Sequence, residues 1–142
     1  MEKTYKQYKF KFYLNMNHFI YNNGHPGEVH PHTWELTLSV ISNNSEMTPF
    51  FNLERKVEQL MDKYQDKLLN DCEPFNEMIP TVENAARYFF RMIQDAIMQE
   101  GWILLMLELS ETPTRSYVIN AVLDEDSIWS DWQNYLTAQK DI

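Results

Sequence analysis

The segment Lys9 to His18 reads KFKFYLNMNH, and apolar residues fill every second position up to its last residue, His18. Alternation with period two is typical of a β-strand that has one solvated face. The segment His30 to Val40 reads HPHTWELTLSV and has the same period, with His30 and His32 on its apolar side. The two segments therefore predict two strands that each carry histidine on the face turned towards the core.

The residues between these strands, Phe19 to Val29, include the turn formers Asn, Gly and Pro. An antiparallel hairpin across this loop places the end of the first strand beside the start of the second. We therefore expect His18, His30 and His32 to meet at one end of one sheet face. His25 lies among the turn residues and is predicted to be a solvated loop histidine.

Three converging histidines predict a metal site. Zinc accepts neutral imidazole nitrogens at roughly 2.0 to 2.1 Å and keeps a fourth position open when only three protein ligands are offered. The open position favours catalytic zinc over structural zinc. The alternative is that His30 and His32 are packed or hydrogen-bonded without metal, which is the usual meaning of an H-x-H pair taken alone. The convergence with His18 favours the metal.

The composition limits the class of protein. The chain has 142 residues, of which 44% are hydrophobic, which predicts a single domain over residues 1–142 with a sizeable core. The 21 acidic residues outnumber the 12 basic ones, so a nucleic-acid partner is not expected. The single cysteine, Cys72, excludes an internal disulfide, and no leader or long apolar run is present. We expect a soluble, cytoplasmic protein without a membrane partner.

The middle of the chain predicts two amphipathic helices. Apolar residues at spacings of three and four indicate a first helix over about Asn52 to Leu69. The second helix is expected to begin at Pro80-Thr81 and to end at Gly101, because threonine favours the N-cap and glycine the C-terminal stop.

Two further strands follow, Trp102 to Glu111 and Tyr117 to Val122. In the first of these, Glu111 has the same parity as four apolar residues, namely Ile103, Leu105, Leu107 and Leu109. A carboxylate on a core face needs a partner, so Glu111 is a candidate site residue; the alternative is an idle acid at the rim of the sheet. Beyond residue 123 lies a C-terminal extension whose apolar residues predict a short helix: Ile128, Trp129, Trp132, Tyr135 and Leu136.

The element order is β-β-α-α-β-β, which predicts an α+β fold with a four-stranded antiparallel sheet and two helices on one face. Such a sheet has two open edges, and self-association is the expected remedy.

Four short motifs occur in a characteristic order. They are His18, the His30-Pro31-His32 pair, the helix start Pro80-Thr81-Val82-Glu83-Asn84, and Glu111-Thr112. Over about Phe10 to Tyr117 the chain resembles the family of 6-pyruvoyl tetrahydropterin synthase and 6-carboxytetrahydropterin synthase. The resemblance implies a tunnelling fold (T-fold), in which subunits form trimers around a barrel and two trimers stack into a homohexamer.

The resemblance also implies a Zn2+ site and an adjoining pocket for a small pterin. The zinc ligands would be His18, His30 and His32, and the pocket residues Thr81, Glu83 and Glu111. In this view Glu111 anchors the guanidine-like edge of the pterin ring, because a buried carboxylate needs a fixed pair of donors. For Thr81 and Glu83 the alternative is ordinary helix capping.

The chain departs from the family pattern at its catalytic positions. Pro26 stands where the family has its cysteine, four residues before the H-x-H pair, and Pro31 replaces the glycine between the two histidines. Gln65 and Asp66 stand where the family has an Asp-His pair. The usual Cys, Asp and His relay is therefore absent.

Other groups are candidates for the proton transfers that zinc would assist in this family. Glu28, two residues before His30, is the best candidate base. A related branch of the family uses a glutamate near the H-x-H pair, although it lies one residue further upstream. The alternative for Glu28 is a solvated loop acid. Asp66 is a second candidate acid or base, with an idle surface acid as its alternative.

Two functions are left open by the sequence. One is a zinc-dependent pterin-processing protein, a carbon-oxygen or carbon-carbon lyase or a synthase, that acts on dihydroneopterin or its triphosphate with a non-standard base. The other is a family descendant without turnover that binds zinc and a pterin-like ligand or serves as an assembly component.

Overall fold

A computed structural model of the chain describes residues 7–42 and 50–121. These residues form, in chain order, β1 (Tyr8–His18), β2 (Tyr21–Asn22), β3 (His25–Pro26), β4 (His30–Ser42), α1 (Phe50–Asp62), α2 (Val82–Met98), β5 (Trp102–Thr112) and β6 (Arg115–Asn120). The four long strands make one antiparallel sheet in the order β1-β4-β5-β6, and β2 pairs with β3 in a separate small hairpin. The predicted α+β architecture is confirmed.

The pairing of β1 with β4 follows the predicted hairpin. His18 lies opposite His30, and Met16 lies opposite His32. The intervening loop folds through the β2–β3 hairpin, whose turn residues Asn23 and Gly24 have φ values of 52° and 81°. Two consecutive positive φ values are those of a type I′ turn, for which Asn-Gly is the preferred sequence.

The core lies between the two helices and one face of the sheet. The predicted apolar side of β1 is buried at Phe12, Leu14, Met16 and His18. In β4 the apolar side is buried from Trp34 onwards, but the opposite face is also buried, at Thr37 and Ser39. Thr37 lies on an inner strand of the sheet and pairs with Lys11 of β1 and Glu108 of β5, which both have longer side chains.

Both helices pack their apolar stripes into this core. The buried residues are Leu53, Val57 and Met61 of α1, and Ala85, Ala86, Phe89, Ile93 and Ile97 of α2. The second helix has the predicted ends, with Thr81 as its N-cap and Gly101, at φ 87°, just beyond its C-terminus. None of the helices in the described part of the chain is long and apolar enough to span a membrane.

The first helix is shorter than predicted, because it ends at Asp62 and not at Leu69. The chain turns away at Asp66, which has a left-handed φ of 59°. Its backbone N–H donates to the carbonyl of Asn15 at 2.7 Å, and the carbonyl of Lys67 accepts from Asn17 at 2.9 Å. These bonds to the edge of β1 replace the bonds that a continued helix would make.

Two side-chain amides fasten the same segment to β1. The Gln65 amide donates to the carbonyl of Tyr13 at 2.7 Å and accepts from the N–H of Asn15 at 2.9 Å. The Asn70 amide makes the same pair of bonds to the backbone of Phe19, each 3.0 Å long. We call residues 65–70 the edge clasp. It covers the outer edge of β1 at the end that carries His18.

The predicted parity of β5 is correct only in its second half. The buried residues are Trp102, Leu104, Leu107 and Leu109. The pairing with β4 slips between Ser39 and Val40, which lie opposite Met106 and Leu104, so Leu105 is an extra residue that reverses the parity. Glu111 keeps its predicted face because it lies beyond this bulge.

Some predictions concern residues outside the described ranges. The helix predicted in the C-terminal extension lies there, as does Val122, the last residue of the predicted final strand. Within the described part, that strand begins at Arg115, two residues earlier than predicted.

Candidate metal centre and adjoining cavity

The three histidines meet at one end of the sheet, on the face that carries the helices. Their ring centres are 4.5 Å apart for His18 and His30, 4.9 Å for His18 and His32, and 4.6 Å for His30 and His32. The convergence predicted from strand parity is confirmed.

His18 is held by a contact that sequence reasoning missed. Its Nδ1 lies 2.9 Å from the carbonyl oxygen of Pro80, just before α2. Because a carbonyl can only accept, Nδ1 is the donor, and in the neutral ring Nε2 carries a free lone pair. The side chain is 2% exposed, and among the described residues Nε2 has no hydrogen-bond partner. An unpartnered buried acceptor is what a metal ion would satisfy.

His30 is also oriented by a hydrogen bond from its ring to a backbone carbonyl. The Nδ1 of His30 donates to the backbone carbonyl of Glu28 at 3.0 Å, which leaves its Nε2 free. Metal-binding histidines typically donate their other N–H to a carbonyl or carboxylate, which fixes the tautomer. His18 and His30 both have this arrangement.

The electrostatic environment keeps two of the rings neutral. Burial lowers the pKa of His18 below the ordinary imidazole value, and it also lowers the pKa of His32. Both rings are therefore neutral at pH 7, which is the form that binds metal.

Glu111 joins the histidines from β5. Its Oε1 lies 3.4 Å from Nε2 of His32 and 3.9 Å from Nε2 of His18. One donor atom from each of the four residues lies within 4.8 Å of the others, so the group could hold a metal ion. Glu111 has no partner on β6, because the pairing shifts between Ser110 and Thr112. Such bulges commonly redirect a side chain at a functional site.

Arg115 is the second contact that the sequence analysis missed. Its guanidinium nitrogen Nη2 lies 3.6 Å from Oε2 of Glu111, and its side chain is 72% exposed. The available signal was its position, four residues after Glu111 across the short turn into β6.

A cavity of about 400 Å³ opens beside the histidines. It is lined by His18 and His30, by Glu111 and Arg115, and by the first turn of α2, including Thr81 and Glu83. The Oγ1 of Thr81 also accepts from the N–H of Asn84 at 3.1 Å, so this residue caps the helix and faces the cavity at once. Capping and cavity lining, the two interpretations open for Thr81, are therefore compatible.

The two candidate acids, Glu28 and Asp66, do not line this cavity. Glu28 is exposed, and its side chain is not among those that line this cavity. Asp66 lines a second cavity, of about 420 Å³, together with His32 and Asn15. His25 is exposed in β3, as predicted for a solvated loop histidine.

The fold and the site together define a class of protein: a T-fold chain with a His and Glu cluster at one end of its sheet. Residues 7–121 match the family model described as 6-pyruvoyl tetrahydropterin synthase. The chain therefore belongs to the 6-pyruvoyl tetrahydropterin synthase family, as its motifs predicted.

Solved structures share the fold at low sequence identity. The Caenorhabditis elegans 6-pyruvoyl tetrahydropterin synthase is 14% identical with a TM-score of 0.69, over 82% of this chain and 95% of that one. The Plasmodium falciparum enzyme is 16% identical with a TM-score of 0.57, over 81% of this chain and 98% of that one. At these identities the likeness establishes the fold alone. No match is found among curated protein sequences.

Proposed function

We propose that this protein is a zinc-dependent, pterin-processing lyase or synthase that acts on a dihydropterin, either dihydroneopterin or its triphosphate. The observation that carries the proposal is the buried, unpartnered Nε2 of His18, which faces His30, His32 and Glu111 beside a cavity in a member of this family. The cavity volume lies within the range of small-molecule sites, roughly 300 to 1,000 Å³.

In this proposal His18, His30 and His32 hold the ion, which when bound would polarise an oxygen of the substrate. The carbonyls of Pro80 and Glu28 keep two of the rings in the metal-binding tautomer. These hydrogen bonds orient the two rings for metal binding before any ligand is bound.

The pterin ring would be held by Glu111, Thr81 and Glu83, which line the same cavity as His18 and His30. Glu111 is 21% exposed and lines the cavity, so its carboxylate can accept the paired donors of a 2-aminopterin edge. The hydroxyl of Thr81 accepts from the helix backbone and keeps its own hydrogen to donate to a ligand. Glu83 lies beside it on the rim of the same cavity.

Glu28 is the proposed base, with Asp66 as a second acid or base. One solved relative, from Plasmodium vivax and 15% identical, is a variant in which a glutamate described as a catalytic residue is replaced by alanine. Glu28 is the acid nearest to the H-x-H pair on its N-terminal side, and its backbone already contacts His30. The loop that carries it would need to bring the carboxylate to the cavity.

A second function, binding of zinc and a pterin-like ligand without turnover, is favoured by the edge clasp. Gln65, which stands at the position of the family's catalytic aspartate, has both ends of its amide bonded to the backbone of β1. Pro26, at the position of the family's cysteine, has no group that transfers protons. Neither position therefore supplies an acid or a base for proton transfer.

The test incubates the zinc-loaded protein separately with dihydroneopterin triphosphate and with dihydroneopterin and follows the products by mass. Glu28→Gln is informative because the carbonyl that holds His30 remains. If Glu28 is the base, its loss lowers turnover by about 10² to 10⁴ fold. Glu77→Gln, at an exposed glutamate in the turn before α2, should turn over like the wild type.

The outcomes separate the proposals. Turnover that survives Glu28→Gln excludes Glu28 as the base. Tight pterin binding without turnover selects the second function, and the absence of both contradicts the two functions together.

We also propose that the protein assembles into a homohexamer and is located in the cytoplasm.

A further inference from the structure

Glu111 and His18 present two acceptor atoms to each other. Because Nδ1 of His18 donates to Pro80, its Nε2 is an acceptor in the neutral ring. The nearest oxygen of Glu111, Oε1, lies 3.9 Å away and also only accepts when the carboxylate is ionised. Two such atoms can both bind a positive ion that lies between them, and together with His30 and His32 they form a group that could hold one.

The distances fit a fourth ligand. A tetrahedral ion with bonds of roughly 2.0 to 2.1 Å has donor atoms separated by about 3.3 to 3.4 Å. The separation of Glu111 Oε1 from His32 Nε2 is 3.4 Å, and that from His18 Nε2 is 3.9 Å. Small side-chain rotations would bring the second distance to the same value.

Two features hold the carboxylate in this position. The irregular pairing between Ser110 and Thr112 turns Glu111 away from β6 and towards the histidines. Arg115 lies 3.6 Å from the other oxygen, Oε2, which leaves Oε1 directed at the histidine cluster.

We propose that Glu111 fills the fourth coordination position of the ion held by His18, His30 and His32 when no pterin is bound, and that the pterin displaces it. This inference rests on the proposed metal site. It gives the resting protein a closed set of four protein ligands, which is typical of structural zinc, and it opens the set only when ligand enters. One carboxylate then serves the metal and the pterin in turn.

The test uses Co2+ as a visible probe of coordination in the full-length protein. We expect Glu111→Gln to change the cobalt absorption spectrum and to weaken Co2+ binding by at least about tenfold, the lower end of losses seen even for outer-shell partners. Glu111→Asp keeps the charge but withdraws the oxygen, so it should show the same change. Glu108→Gln, on the same strand and bonded to Ser116, should match the wild type.

Neopterin provides the second arm of the experiment. Its addition to the cobalt-loaded wild type should move the spectrum towards that of Glu111→Gln, because the carboxylate leaves the metal. Identical cobalt spectra and affinities for the wild type and both Glu111 variants would overturn the inference while leaving the three-histidine site intact. A wild type that binds no cobalt would overturn the metal site itself, and this inference with it.

Discussion

At the scale of single residues, the chemistry depends on which ring nitrogen of each histidine is free. The Pro80 and Glu28 carbonyls accept hydrogen bonds from the Nδ1–H groups of His18 and His30, which leaves both Nε2 atoms free to face the cluster. Neither carbonyl can be found from side-chain patterns, because any residue offers one. The sequence could predict that the rings meet, but not which nitrogens face each other.

His30→Ala should weaken zinc binding, because it removes one proposed ligand and leaves His18, His32 and the carboxylate of Glu111. We expect the zinc content after dialysis, measured by elemental analysis, to fall below the value of about one ion per chain expected for the wild type. His25→Ala is the matched control, since His25 is exposed in β3 and outside the cluster. Zinc content and affinity equal to those of the wild type in His30→Ala would contradict the role of His30 as a ligand.

Because of Tyr64, the free energy of unfolding should decrease as the pH rises above about 10. Burial raises the pKa of its hydroxyl, and the hydrogen bond with Tyr88 raises it further. The unfolded chain releases this proton near pH 10, whereas the folded chain keeps it to higher pH, so the stabilisation is complete below pH 10 and is lost above it. The contribution to the slope is at most about 1.4 kcal/mol per pH unit.

Denaturant unfolding of Tyr64→Phe between pH 9 and 11 tests this expectation. The variant should show a shallower decline in the free energy of unfolding than the wild type. Tyr21→Phe, at an exposed tyrosine of β2, should keep the wild-type slope. Equal slopes for the wild type and Tyr64→Phe would contradict the role given to burial.

At the scale of elements, the edge clasp supports the strand that ends in His18. Asn70→Ala would leave the N–H and carbonyl of Phe19 without the partners they have here. An unsatisfied polar group that is not fully hydrated costs about 1 to 3 kcal/mol, and we expect a loss of stability of that size. Because Phe19 follows His18 directly, zinc affinity should also fall.

Equilibrium denaturation compares this variant with Asn76→Ala. Asn76 is exposed in the turn before α2, so its substitution should change the free energy of unfolding by less than about 0.5 kcal/mol. If Asn70→Ala and Asn76→Ala have the same free energy of unfolding, the edge clasp does not stabilise the protein.

The β1 and β4 hairpin could be predicted from the sequence more completely than β5 or α1. The β1 and β4 hairpin could be predicted because each strand is regular and the two are neighbours in the chain. The parity of β5 could not, since the extra residue Leu105 depends on the register with β4, a distant partner. The end of α1 was missed for a similar reason. The apolar residues Tyr64 and Leu68 continue a helical spacing, whereas in the structure Asp66 and Lys67 form backbone hydrogen bonds to the edge of β1.

At the scale of the whole molecule, the sheet of one chain has edges that need covering. The clasp bonds to β1 from Tyr13 to Phe19, and β6 forms the opposite edge of the sheet. An exposed strand edge favours pairing with another chain. In the proposed homohexamer these edges would lie against neighbouring subunits. Light scattering on the purified protein should then give the mass of a hexamer, and a monomer at micromolar concentration would contradict the proposed assembly.

The metal centre is tested most directly by zinc K-edge X-ray absorption on the purified wild-type protein. We predict one zinc per chain, bound by nitrogen and oxygen at roughly 2.0 to 2.1 Å, with the outer-shell scattering of three imidazole rings. A protein without zinc, or a zinc–sulfur distance near 2.3 Å from Cys72, the single cysteine of the chain, would contradict the histidine site.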